Sequence, residues 1–130
     1  MSALPPEQAR TMRTAARDPE PGEGAWSPAS FTDQWHHLHA EAAQVARLAQ
    51  LSPEPIVGPL AQFPSELNRA PQWQRALAQQ GVEDIEAMIR PGLAALEIVT
   101  QRKGAATAPA LALWREFYNA RRAIMAITHP

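Results

Sequence analysis

Three of the chain's four histidines, His36, His37 and His39, fall within the stretch QWHHLHAE, and the fourth is His129. Imidazole ligates zinc, nickel and copper, and it titrates near neutral pH, so a metal centre and a proton-linked switch are the chemistries to weigh. His36 and His39 stand at i, i+3 and His37 and Glu41 at i, i+4, so one helix offers at most two ligands per face. A metal needs three or four that converge. With Leu38 set at zero and ~100° per residue, the apolar stripe of this helix centres near ~20°, with His36 near ~160°, His37 near ~−100° and His39 near ~100°. The three therefore fan around the polar side, with His39 closest to the core edge. No metal is expected, and the ordinary reading is a polar helix flank. A metal-dependent enzyme using His36, His39 or His129 is the weakest of three functional readings.

Other catalytic constellations fail on residue type or spacing. A di-iron carboxylate bundle needs Glu-x-x-His from two helices, and the chain contains no such tetrapeptide. Gly-x-Ser-x-Gly and the phosphate loop Gly-x-x-x-x-Gly-Lys-Ser/Thr are both absent. Ser30, Asp33 and His37 are close in sequence, but a triad is a matter of geometry and an oxyanion hole. Glu83, Asp84 and Glu86 read as first-turn acids that favour a helix N-terminus. They also argue against a helix-turn-helix at Gly81, because a recognition helix opening on three acids would be repelled by phosphates. Without cysteine, thiolate metal sites, disulfides and a Cys nucleophile are excluded. No enzyme activity and no cofactor are expected.

Aromatic residues are the remaining candidates. Trp35, Trp73, Trp114 and Tyr118, with His39, could wall a pocket between helices; the plain alternative is that the rings fill an alanine-rich core. Arg10, Arg13 and Arg17 share one face of a short N-terminal helix, where a solvated face is the default reading. Arg121-Arg122 suits a helix C-terminus.

These residues must be positioned by helices. Phe31, Trp35, Leu38, Ala42, Val45 and Ala49 recur at spacings of four and three, which predicts a helix over 31–51 with Ser30 as N-cap. Residues 52–71 are proline-dense, yet Ile56, Leu60, Phe63 and Leu67 keep helical spacing, so short helical turns laid over the core are expected, as a cover or a lid. A short helix over 71–80 carries Trp73 and Leu77 as its apolar face and stops at Gly81. A longer one over 82–103 presents Val82, Ile85, Ile89, Leu93, Leu96 and Val99, kinks at Pro91-Gly92 and ends at Arg102-Lys103-Gly104. The last runs over 109–127, with Leu113, Phe117, Ala120, Ile124 and Ile127 on one stripe and Leu111, Trp114, Tyr118 and Met125 broadening it. Residues 1–30 read as an arm and linker, a short helix from Pro5 to Arg17 and then DPEPGEGAWSPAS, with Trp26 pinning it to the body.

The fold expected is therefore all-α: an antiparallel bundle of four to five helices over residues 31–130, with a Pro-rich cover and a loosely ordered N-terminal arm over 1–30. The chain's 130 residues suit one core. Its 12 basic and 13 acidic residues give no positive field for nucleic acid. No apolar run approaches the ~20 residues of a membrane span, and the N-terminus has no apolar signal region. Twenty-six alanines, and eleven arginines against the single Lys103, suggest GC-rich codons, so a bacterial cytoplasmic protein is expected. The leading functional expectation is a protein–protein interaction or self-association module, a homodimer through Leu111, Trp114, Tyr118 and Met125 on the last helix. The alternative is a small-molecule-binding or sensing domain whose pocket lies under residues 52–71 and the Pro91-Gly92 kink.

Overall fold

The computed structural model describes residues 26–51, 55–56 and 58–129. These form an all-helical bundle of four helices: α1 (Pro28–Leu48), α2 (Gln62–Asn68), α3 (Gln72–Gln101) and α4 (Thr107–Met125). The helix expected over 5–17, with Arg10, Arg13 and Arg17, lies outside the described residues.

Helix α1 starts three residues earlier than the sequence predicts. Ser27, not Ser30, is the N-cap: its hydroxyl accepts the Ser30 N–H at 3.0 Å, and Pro28 opens the first turn. Proline suits that place because its missing N–H is one that no helix uses. The predicted stripe is the buried one, with Phe31, Trp35, Leu38, Ala42 and Val45 packed inward and Ala49 at the C-cap. The helix ends in a left-handed Gln50, φ 62°, with Leu51 N–H returning to the Ala46 carbonyl at 2.9 Å. Trp26 does anchor the chain before α1. Its ring lies 6.3 Å from that of Phe31 and faces the Arg75 guanidinium at 5.1 Å.

The predicted break at Gly81 does not occur. Helix α3 runs unbroken for 30 residues through both Gly81 and Pro91. Its buried residues Ala78, Val82, Ile85, Ile89, Leu93 and Leu96 form one continuous stripe at spacings of four and three, so packing favours a single rod over local punctuation. Gly81 is small for another reason. A Cβ there would lie 2.7 Å from Ile124 Cγ1, and one at Gly92 would lie 2.8 Å from Leu113 Cδ2. Both glycines let α4 approach closely. The same rotation corrects Trp73 and Leu77. At ~100° per residue they fall on the side of α3 opposite its buried stripe, and they are 61% and 50% exposed.

Helix α4 turns inward a face rotated somewhat from the predicted stripe, with which it shares Phe117 and Ile124. Ala110, Trp114, Phe117 and Ile124 are buried, while Leu113, Ala120 and Ile127 are half-buried. Helices α1, α3 and α4 pack against each other in all three pairings, with α2 laid against α1 and the edge of α3. The segment before α2, where Ile56 and Leu60 pack against the core, forms the expected proline-rich cover together with α2.

Candidate functional site

The inward face of α4 reads Ala110, Trp114, Phe117, then Arg121, then Ile124, at spacings of four, three, four and three. Arg121 thus occupies a core-stripe position, a role beyond the fit to the helix C-terminus expected of it. Across the bundle, His39 follows Leu38 on α1 and is only 7% exposed. The expectation that all three histidines fan over the polar flank therefore fails at His39. Helix α1 is gripped by both α3 and α4, so its buried arc is wider than the apolar stripe alone indicates.

His39 and Arg121 meet. His39 Nδ1 donates to the Trp35 carbonyl at 2.7 Å, and Arg121 Nε donates to His39 Nε2 at 2.8 Å. A carbonyl only accepts and a guanidinium only donates, so the imidazole is neutral with its proton on Nδ1. Protonating Nε2 would turn its lone pair into an N–H aimed at another N–H. Burial is the chief reason His39 titrates low, at about 4 instead of 6.5; the bond to Trp35 opposes that shift, and Arg121 and His36 add to it. The guanidinium also lies over the Trp35 ring, 5.8 Å from its centroid. Burial lowers the pKa of Arg121, partly offset by Tyr118; an arginine remains cationic nonetheless.

His39 lines one and Arg121 the other of two clefts that share the wall Ile56, Gly58 and Leu60. The larger, about 320 Å³, is lined by His36, His39, Ala40 and Ala43 of α1 and by Trp114 of α4. The smaller, about 200 Å³, is lined by Trp35, by Gln62, Phe63 and Glu66 of α2, by Arg121 and Met125 of α4, and by His129. At its rim His129 Nε2 donates to Glu66 Oε1 at 2.7 Å.

Of the five residues expected around a pocket, Trp35, Trp114 and His39 line these clefts under the cover segment. Trp73 lines neither. Tyr118 stacks beside Trp114, ring centroids 6.3 Å apart, also outside both. Pro91 and Gly92 line neither cleft, contrary to expectation. Of the expected interface, Trp114 is buried, Leu111 and Met125 are half-buried and Tyr118 is 39% exposed. His36 and His37 are exposed, and His37 faces Glu41 at 3.5 Å. Among the described residues no three His, Asp or Glu side chains are grouped to hold a metal, and no helix is long and apolar enough to cross a membrane. Sequence reasoning missed Arg121. Its signal is the uninterrupted 4-3-4-3 spacing of α4, which emerges only once a charged residue is allowed on a core stripe. Compared with protein families, curated proteins and solved structures, the chain matches none.

Proposed function

We propose that this domain binds a small molecule in the paired clefts beneath the cover segment, without making or breaking bonds in it, in a bacterial cytoplasm. The supporting observation is the His39–Arg121 pair. Two polar side chains turned into the bundle cost more to bury than leucines would. Here they are joined to each other, His39 lining the larger cleft and Arg121 the smaller. The ligand is small, because clefts of about 320 and 200 Å³ lie at or below the low end of the ~300–1,000 Å³ typical of drug-sized ligands. A thermal-shift screen of the full chain against small neutral, acidic and basic compounds tests this. A true ligand at 100 times its Kd should stabilise the fold by about 2.7 kcal/mol. Ala43→Phe, which fills the larger cleft from α1, should abolish the shift for a ligand seated there. A screen in which nothing raises the melting temperature sinks the proposal.

A second reading, self-association, is favoured by a separate observation. Trp73, Leu77 and Ile98, the last 48% exposed, all lie on the side of α3 turned away from the bundle. An antiparallel α3–α3 contact between two copies would set Trp73 against Ile98. This replaces the α4 face as the interface to test. Light scattering over a concentration series should show a dimer that Trp73→Glu converts to a monomer; a monomer at every concentration removes the reading.

A further inference from the structure

We infer that the ligand of these clefts, on the reading just proposed, is a small monocarboxylate with an apolar body, its carboxylate bound end-on by Arg121. The starting point is an unanswered charge. Among the described residues no carboxylate pairs with Arg121; its one hydrogen bond is the donation from Nε to neutral His39. Glu66 lines the same cleft, but it is engaged by His129 at 2.7 Å. The guanidinium is nonetheless fixed, by His39 at its Nε edge and by the Trp35 ring against its face. The two Nη groups are what remain. Neither is a buried atom lacking a partner, so both are accessible, on a residue that lines the smaller cleft. An immobilised pair of parallel N–H donors matches the two oxygens of a carboxylate.

The rest of the cleft limits what the carboxylate is attached to. Phe63, Ile56, Leu60 and Met125 supply apolar wall. His39 is neutral, and Arg121 is the one unpaired cation among the described residues that line the cleft, so the site offers a single positive charge. A phosphate dianion would need more than that, and Glu66 at the rim would repel its two charges more strongly than the one charge of a carboxylate. A lone carboxylate answers the Arg121 guanidinium, and its hydrocarbon takes the apolar wall.

Calorimetric titration of the full chain decides it. The probes are butanoate, hexanoate, octanoate and benzoate, with hexanamide, hexylamine and inorganic phosphate as comparators. Hexanoate or benzoate should bind, with hexanamide roughly 10- to 100-fold weaker, the difference a charge-assisted hydrogen bond makes. Arg121→Met should reduce hexanoate to the hexanamide level and leave hexanamide unchanged; Arg121→Lys, with charge but no fork, should fall between. If Arg121→Met does not fold, the hexanoate–hexanamide comparison in the unaltered protein carries the test. Equal binding of acid and amide, or carboxylate binding indifferent to Arg121, overturns this inference and leaves the cleft reading standing. Phosphate binding as tightly as hexanoate also overturns it. If no probe of any charge binds, both readings fall.

Discussion

His39 is a buried base whose single lone pair is already used, and that has a consequence for stability. In the unfolded chain it titrates near 6.5; in the fold it titrates at about 4. Between these values the unfolded state binds more protons, so acid favours unfolding. The contribution is complete above pH 6.5 and is lost as pH falls towards 4. Each tenfold change in proton affinity corresponds to about 1.4 kcal/mol, which makes the full loss on the order of 3 kcal/mol. Urea titrations at pH 7 and pH 4.5 should show it, and His39→Gln should flatten that slope beyond the effect of the carboxylates. An unchanged slope in the variant would place the acid sensitivity elsewhere. Ser27 is a simpler case. Its hydroxyl is the side-chain cap of α1, and Ser27→Ala should cost about 1 kcal/mol, read as a lowered urea midpoint.

At the scale of elements, α3 meets a packing requirement at the cost of a proline inside the helix. Pro91 has no N–H to give the Ala87 carbonyl, and its ring crowds the preceding turn, yet the helix continues through it. Pro91 is exposed, so Pro91→Ala should restore the missing hydrogen bond without opening a cavity and stabilise the fold by about 1–3 kcal/mol. A lower melting temperature would mean that the contact of Gly92 with Leu113 depends on the proline. Gly81→Val tests the other side of the same packing. Its branched side chain would be driven into Ile124, and the cost should be about 1–3 kcal/mol despite glycine's poor helix propensity. The sequence made the faces of α1 and α3 legible, because apolar spacing is a direct record of burial. Gly81 misled because it is read as punctuation, whereas a stripe of six buried residues outweighs one unfavourable backbone; Pro91 lies inside the helix, as the unbroken apolar phase from Ile89 to Leu93 predicts. His39 and Arg121 stayed hidden for a different reason. Periodicity sorts residues by hydrophobicity, and a polar pair that satisfies itself across two helices is visible only when both helices are in place.

For the molecule as a whole, two features face different ways. The clefts open between α1, α4 and the cover segment, while the exposed apolar residues Trp73, Leu77 and Ile98 lie on the outer side of α3. Binding and self-association are therefore separable by mutation. Trp73→Glu should leave carboxylate binding intact, and Arg121→Met should leave the oligomeric state intact; calorimetry and light scattering on both variants check the cross-terms. If either variant disturbed both properties, the two surfaces would have to communicate through α3 and α4.

Pro91 also divides α3 in time. It has no amide proton to exchange, and the turn preceding it is one hydrogen bond short. A helix opens most readily where its ladder is already interrupted. In deuterium exchange, the amides over 72–90 and those over 92–101 should therefore lose protection as two groups with different opening free energies. The rod is one element by shape and two by the way it comes apart.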